Sequence, residues 1–404
     1  MGFYLFFLFF SFIGIMSFLY PKQSIYTFIF SALFLPTSSA FTSLTYLNGV
    51  FVTDAFFLFL LVVVLIRISI LKSLHLDLKE IFYFLIPVFI FISYLFFIFF
   101  NASFDLKIIK EFRPIILLIE TIIFLIFLRQ TEFRIDFYSI SKLAIIASLS
   151  NIIYFLILFF GIFMPEDLYY VANTYRYLDL STYFSIYFII HYFIIRGEFL
   201  LRISFLIRFA LFLSFISIII SNSRFLVVAL FLSLILSNIS NFKLLIKRVT
   251  LALLVISLLI AFSYVLEVDR VLDALDRQSV TLQLISRYLP ALTDIYAMTY
   301  LQAIFGYGLG HYFDIPWFDY RDNIEGYNIS VDCAYLTVYV KQGVFGLLSL
   351  ILMTRLLVNV KFSKHRFALL IFWGTMFLVS ASFYQIYPIG AVIYNGFLTN
   401  NEFT

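Results

Sequence analysis

The chain has 404 residues, of which 63% are hydrophobic and only 12% are charged, and its mean hydropathy is +1.05. A soluble domain is nearer to half apolar and a quarter charged, so this composition excludes an ordinary soluble globular protein. The formal net charge of +4 indicates little until it is divided between the two sides of a membrane. The single cysteine, Cys333, excludes an intrachain disulfide.

Long apolar segments follow one another along most of the chain, and they are too long for the short strands of a membrane β-barrel. We predict an all-α polytopic membrane protein with about twelve transmembrane helices and one large extracytoplasmic loop. The predicted spans are 3–19, 24–42, 50–68, 80–100, 114–128, 138–163, 181–195, 204–220, 224–238, 249–265, 333–354 and 367–385. Pro36 falls inside the second of them, and the tail 387–400, "YPIGAVIYNGFLTN", is too short and too broken to count as a span.

These segments predict three parts: a transmembrane bundle over 1–265, a large loop with an amphipathic helix over 266–332, and C-terminal helices with a tail over 333–404. Four clusters of lysine and arginine in short loops fall on one side, which the positive-inside rule assigns to the cytoplasm. The large loop carries ten acids, four arginines and no lysine from Glu267 to Asp332. That balance is typical of a loop translocated across the membrane.

The segment "FGYGLGHYF" at 305–313 lies inside this loop. It is a poor dinucleotide fingerprint, because its third glycine comes one residue early and no βαβ unit surrounds it. Its glycines predict a tight turn with positive φ angles. Apolar residues at helical spacing precede it from Ile285 to Phe305, and Pro290 is expected to kink or start that helix. We expect the apolar face of the helix to lie on the membrane surface or to cap the bundle.

Several arginines on the predicted outer face depart from the positive-inside trend. Each one alone is explained by contact with lipid headgroups or by pairing with a loop acid. Together they indicate an anion at the membrane surface, and a guanidinium suits phosphate because its planar fork binds two oxygens. The residues predicted to bind this substrate are Arg113, Arg176, Arg224, Arg287 and Arg321.

Other chemistries are less well supported by the residues. Four histidines and one cysteine are scattered without the spacing of a zinc site, so we predict no metal and no other cofactor. Glu120 is the one acid near the middle of a predicted span, whereas an ion-coupled transporter usually carries a chain of such groups. His191, also within a span, is expected to be a packed and hydrogen-bonded ring.

Three segments in order resemble a known family: "SNSRFLVVAL" at 221–230, "ISRYLPAL…AIFGYGLGHYF" at 285–313 and "VDCAYLTVYVKQGVFG" at 331–346. Together they resemble the superfamily of O-antigen polymerases (Wzy) and O-antigen ligases. These proteins are glycosyltransferases of the bacterial inner membrane that use polyprenyl-diphosphate-linked glycans. The resemblance implies a multi-pass protein of that membrane, with an active site facing the periplasm.

The resemblance also implies roles for particular residues. Arg224 and Arg287 match the family's arginines and would hold the lipid diphosphate. Asp332 stands where ligase-like members show a histidine, which favours a polymerase and leaves the base open between Asp332, His311 and another acid. Aromatic residues of the loop are expected either to stack on sugars or to form an interfacial belt. They are Tyr307, Tyr312, Phe313, Trp317, Phe318 and Tyr320.

The implied partners are the lipid-linked glycan, membrane lipids and a chain-length regulator protein, and nucleic acid is not among them. The glycine turn is expected to bring the arginine-bearing loop helix back over the bundle and to form a wall of the site. Alternatives are a ligase that transfers finished glycan and a flippase or exporter without catalysis. A glycosyltransferase of the endoplasmic reticulum also stays open, because 328–330 matches a glycosylation sequon.

Overall fold

The fold was obtained as a computed structural model, and it describes most of the chain from residue 20 onward. The described residues are 4, 8, 11–12, 15–16, 19–36, 41, 46–47, 50–51, 62, 65–66, 69–70, 78–101, 119, 122–128, 135–162, 177–198, 204–221, 223–239, 241–265, 277–315, 327–328, 330–360, 362–380 and 388–400. Within them the protein is mostly helical.

Twelve helices are numbered here in chain order. They are α1 (Pro21–Phe34), α2 (Leu78–Asn101), α3 (Phe137–Phe159), α4 (Leu180–Glu198), α5 (Phe205–Ile220), α6 (Arg224–Leu236), α7 (Phe242–Val265), α8 (Arg277–Ala297), α9 (Tyr300–Phe305), α10 (Ala334–Leu357), α11 (Ser363–Val379) and α12 (Pro388–Asn400). Residues 122–128 are also helical. Two antiparallel pairs of two-residue strands complete the described structure: β1 (Tyr46–Leu47) with β2 (Val50–Phe51), and β3 (Phe313–Asp314) with β4 (Tyr327–Asn328).

Most of the predicted apolar segments are helices, with small changes at their ends. One correction concerns the second predicted span, 24–42, because α1 ends at Phe34. Pro36 follows two residues later, and a proline disfavours helical geometry in the residue before it. The predicted spans 3–19 and 50–68 lie largely outside the described residues, and the described residues of span 114–128 are helical.

Within the described part, two helices have both the length and the apolar composition that a membrane crossing requires. They are α3, with 23 residues, and α10, with 24. A helix of about 20 apolar residues matches the thickness of the hydrocarbon layer.

The buried core joins the early helices to the C-terminal ones. Trp373 of α11 is fully buried and stacks on Tyr183 of α4, with ring centroids 5.6 Å apart. Its indole Nε1 donates a hydrogen bond to the Tyr187 hydroxyl, which donates in turn to the backbone oxygen of Leu357 at 2.8 Å. The Trp373 indole and the Tyr187 hydroxyl therefore both have hydrogen-bond partners, as polar groups in a tightly packed apolar core require.

A layer of buried polar side chains connects α3, α4 and α5. Asn151 of α3 donates from Nδ2 to the Ser217 hydroxyl at 2.5 Å and accepts from the Ser181 hydroxyl at Oδ1. A second layer is centred on Ser148, whose hydroxyl oxygen lies 3.1 Å from that of Ser185 and 3.2 Å from that of Ser214. Small polar residues of this kind join helices by close approach and by hydrogen bonds between helices.

We expect Asn151→Ala to lower the free energy of unfolding by about 1–2 kcal/mol, because it leaves the buried hydroxyl groups of Ser181 and Ser217 without that partner. Thermal unfolding of the purified protein in detergent measures the loss. Asn359→Ala is the matched control, since Asn359 is half-buried at the turn after α10. Equal stability of the two variants would contradict a structural role for the polar layer.

The C-terminal tail, which is not predicted as a span, forms the 13-residue helix α12, and its side chains are buried from Pro388 to Phe397. Pro388 is the first helical residue, a position that tolerates proline because its missing N–H has no helical partner. Gly390 packs against α4, where an added Cβ would lie 2.2 Å from the Leu180 backbone oxygen. The proline thus starts the helix, and the glycine permits its close contact with α4.

The prediction for His191 is confirmed. The ring is buried, and its Nδ1 lies 2.7 Å from the Tyr394 hydroxyl of α12. It also stacks on the ring of His365, with the centroids 5.1 Å apart. These contacts hold α4, α11 and α12 together, as expected for a packed ring in the interior.

Candidate functional site

The helix α10 is broken at Gly343, where the backbone has φ 57° and ψ −144°. In an unbroken helix the carbonyls of Val340 and Lys341 would accept hydrogen bonds from residues four positions later. Here the same carbonyls accept from the amides of Tyr307 and Gly308, both at 2.8 Å. The carbonyls freed by the break therefore accept hydrogen bonds from the glycine segment of the large loop, residues 305–313.

The glycine segment has the geometry that its sequence predicts. Gly306, Gly308 and Gly310 have φ angles of 78°, 96° and 94°, so the prediction of positive φ is confirmed. At Gly306 an added Cβ would lie 2.2 Å from the carbonyl carbon of Lys341. Glycine is thus needed at this position both for its conformation and for the close approach of two backbones.

The contacts of the glycine turn define its position. Ser93 of α2 donates a hydrogen bond to the backbone oxygen of Phe305, at 2.8 Å, and Phe305 stacks on Phe345 beyond the break. The turn is therefore inserted between α2 and α10. The physical reason is that the freed carbonyls of α10 need amide donors inside the packed protein.

The loop helix predicted ahead of the turn is present as α8, and it begins earlier, at Arg277. Pro290 lies inside it and is not its start. Ala291 is fully buried, and Tyr288 and Ile295 pack with it against the small core around Phe313 and Cys333. Other apolar residues of α8 are exposed, namely Ile285, Leu289, Leu292 and Tyr296. One face of α8 thus caps a core, and apolar residues remain on its surface.

Arg287 connects α8 to the start of α10 and to α6. Its Nε lies 3.4 Å from Oδ2 of Asp332, the residue just before the N-cap of α10. Its guanidinium lies 4.4 Å from the ring centroid of Phe225. The Arg287 side chain is 14% exposed and that of Asp332 is 65% exposed. A cation held by a carboxylate and an aromatic face has a restricted orientation, and its remaining N–H groups can bind an anion.

A histidine–carboxylate pair lies further along α8. Nε2 of His311 is 2.9 Å from Oδ2 of Asp294, and both side chains are partly buried. The His311 ring stacks on Tyr307 with centroids 4.7 Å apart and meets the edge of Phe313. The Tyr307 hydroxyl donates to the backbone oxygen of Asp294 at 3.1 Å. Burial, and then the charge of Asp294, raise the pKa of the Tyr307 phenol, so this donor keeps its proton at neutral pH.

Each of the two pairs includes one residue of α8. Arg287 and Asp294 are seven residues apart on α8, which places them on one face of the helix and about 10 Å apart along its axis. A cationic group and an imidazole–carboxylate pair are therefore arranged side by side along this face. Such an arrangement can bind an anion at one end and accept a proton at the other.

The structure brings some of the predicted site residues into contact, and others lie outside the described residues. Arg287 and Asp332 are brought together, while His311 meets Asp294, for which the sequence indicated no role beyond its charge. Arg224 is the first residue of α6, next to Phe225, and its side chain is outside the described part. The remaining predicted ligands lie outside the described residues: Arg113, Arg176 and Arg321.

Asp294 could have been found from its spacing. It comes two helical turns after Arg287 in a segment with helical periodicity, so the two side chains had to share a face. Phe225 had no comparable signal, because a phenylalanine beside an arginine is ordinary in a chain with 56 phenylalanines.

The aromatic residues expected to stack on sugars are corrected in part. Phe313 is fully buried, because it fills the core beneath α8, and it cannot contact a sugar. One face of Tyr307 is covered by His311. The prediction for Trp317, Phe318 and Tyr320 falls on residues outside the described part.

Comparison with known proteins identifies a family for most of this chain. Residues 126–399 match a family described as a family of unknown function, DUF6369. No curated protein and no solved structure matches the chain. The matched region runs from the helix at 122–128 through α12, so it contains α8, the glycine segment, the Arg287–Asp332 and His311–Asp294 pairs and the broken helix. Because the match covers more than half of the sequence, the chain belongs to the DUF6369 family.

Proposed function

We propose that this protein polymerises oligosaccharide repeat units that are linked to a polyprenyl diphosphate. A hydroxyl of the acceptor glycan attacks the anomeric carbon of the donor sugar, and a new glycosidic C–O bond forms. The bond from that carbon to the diphosphate breaks, and its electron pair leaves with the polyprenyl diphosphate. A base takes the hydroxyl proton. The donor is already activated, so the reaction needs no nucleotide.

The observation that carries this proposal is the setting of Arg287. Its guanidinium is oriented by Asp332 and the ring of Phe225, and Arg224 is the neighbour of Phe225 on α6. The contact of Arg287 with Phe225 thus brings α8 to the start of α6, where Arg224 is the first residue. Arginines stabilise the charge that develops on a departing diphosphate. In this proposal Arg113, Arg176 and Arg321 add to the same anion site, and Asp332 or His311 is the base.

The proposal includes a location in the bacterial inner membrane, with about twelve transmembrane helices and the large loop on the periplasmic face. The length and composition of α3 and α10 support membrane association. Large apolar side chains on helix surfaces support it further, because exposed apolar patches of this kind mark contact with lipid or protein. Examples are Phe212, Leu253, Leu254 and Ile351, which are all more than half exposed.

Two alternative functions make different demands on the same residues. A ligase would transfer the finished glycan to a second acceptor, and the resemblance predicts a histidine where Asp332 stands. A flippase or exporter would move the glycan without bond formation and would favour charges deep within the spans. The clustering of charged pairs along α8 and the start of α10 favours chemistry at the large loop.

Reconstitution tests the proposal. The full-length protein is placed in liposomes with one polyprenyl-diphosphate-linked repeat unit, without a nucleotide or second acceptor. We expect a ladder of lengthening glycans on a gel, with release of polyprenyl diphosphate. Transfer only after addition of lipid A would identify a ligase. A change of leaflet without any new bond would identify a transporter, and either result would overturn the proposal.

A further inference from the structure

The ring of His311 is held on several sides by contacts within the large loop. Asp294 binds its Nε2 at 2.9 Å, Tyr307 stacks on one face and Phe313 meets it edge-on. Tyr307 is itself tied to α8 through its hydrogen bond to the backbone oxygen of Asp294. One turn of α8 therefore fixes both the ring and the side chain stacked on it.

This geometry determines which ring nitrogen can accept a proton. A neutral imidazole has one N–H and one lone pair, and the hydrogen bond to a carboxylate assigns the N–H to Nε2. Nδ1 then carries the lone pair. The His311 side chain is 22% exposed, so a ligand can reach the ring although its orientation is fixed. A carboxylate in this position also stabilises the imidazolium that forms when the ring accepts a proton.

Asp332 contacts an arginine, whereas Asp294 contacts the histidine. Its Oδ2 faces Nε of Arg287 at 3.4 Å, and that contact holds the guanidinium over the Phe225 ring. The two acids thus have parallel roles on neighbouring basic groups, since Asp332 orients an arginine and Asp294 orients a histidine. Arg287 and Asp294, the α8 residues of the two pairs, lie about 10 Å apart along the helix axis.

We propose that His311 is the catalytic base, that Asp294 is its positioning residue, and that Asp332 positions Arg287. The inference rests on the proposed polymerase function. The acceptor hydroxyl gives its proton to Nδ1 of His311 as its oxygen bonds to the anomeric carbon and the diphosphate departs. The imidazolium, paired with Asp294, then releases that proton to water. Atoms and charge balance without a metal or redox partner.

The test uses the full-length protein in the liposome assay. We expect His311→Ala to lower kcat by about 10²–10⁴-fold and added imidazole to restore part of the rate, because the ring would then be supplied from solution. Asp294→Asn should lower kcat and leave KM for the lipid-linked donor unchanged, since positioning a base affects the chemical step. Asp314→Asn is the matched control, because Asp314 is an exposed acid of the same loop.

Different failures of this test are distinguishable. A wild-type protein that forms no ladder overturns the proposed function itself. A wild-type ladder together with full activity of His311→Ala overturns the inference about the base. If His311→Ala is inactive and unrescued while Asp294→Asn raises KM, the pair has a structural role and the inference that His311 is the base is overturned. Because the alanine variant also removes packing, His311→Gln is tested beside it, since its amide retains a donor for Asp294, and thermal unfolding of each variant confirms folding.

Discussion

Replacing Gly343 by alanine is expected to prevent stable folding of this protein. The backbone at Gly343 has φ 57° and ψ −144°, near a region that is essentially restricted to glycine, and strain of this kind costs about 1–3 kcal/mol. The new Cβ would also lie 2.3 Å from the backbone oxygen of Ile304. That oxygen belongs to α9, and it cannot retreat without disturbing the bonds from Tyr307 and Gly308 to α10. We expect a total loss above about 4 kcal/mol.

The α11 residue Gly374 offers a matched control for this variant. An added Cβ there meets nothing within 4 Å, so Gly374→Ala should keep or slightly raise stability. The midpoint of thermal unfolding in detergent compares the two variants directly. Gly306→Ala should behave like Gly343→Ala, because the two glycines lie on opposite sides of the same contact. A Gly343→Ala protein as stable as Gly374→Ala would show that the break in α10 can be replaced by ordinary helix.

The second large effect is expected for Arg287→Lys, which should lower the rate of polymerisation by at least about 10²-fold while the protein still inserts and folds. Lysine keeps the positive charge but lacks the planar fork that binds two phosphate oxygens. It also cannot lie flat on the Phe225 ring while it faces Asp332, as the guanidinium does. Arg287→Lys should therefore lower the rate of glycan transfer more than it lowers the stability of the fold.

Gel analysis of glycan length measures this effect, with thermal unfolding as the check on folding. Arg355→Lys is the matched control, because Arg355 is an exposed residue in the last turn of α10, far along that helix from Asp332. It should retain wild-type polymerisation. Wild-type activity of Arg287→Lys would remove Arg287 from the site and leave its contacts with Asp332 and Phe225 a purely structural role.

The local geometry of the loop was predictable because it depends on neighbouring residues. Helical periodicity predicted α8, and the alternating glycines predicted the positive φ angles of the turn. The break in α10 was not predictable in the same way. Nothing in the sequence around Gly343 identifies a partner for the freed carbonyls, because the amides that satisfy them come from residues 307–308, more than thirty positions earlier in the chain.

In the candidate site, too, the sequence indicated individual residues, and the fold determined which of them are in contact. The outer-face charge pattern singled out Arg287, and the resemblance added Asp332 as a candidate base. Their ion pair depends on how α8 packs against the start of α10. The partner of His311 also came from the fold, because Asp294 was one of ten acids in the loop until α8 and the glycine turn brought the two side chains to 2.9 Å.

Composition and periodicity alone determined that this is a mostly helical, strongly apolar chain with an acidic loop that carries an arginine-bearing helix and a glycine turn. These properties follow from the residues within a few turns of each other, whose spacing selects the local backbone. The tertiary structure alone decided that the turn is inserted into a broken helix, that the tail is a buried helix, and which acid meets which base. Those outcomes depend on backbone groups and side chains that are distant in sequence and that must find partners once water is excluded from the packed interior.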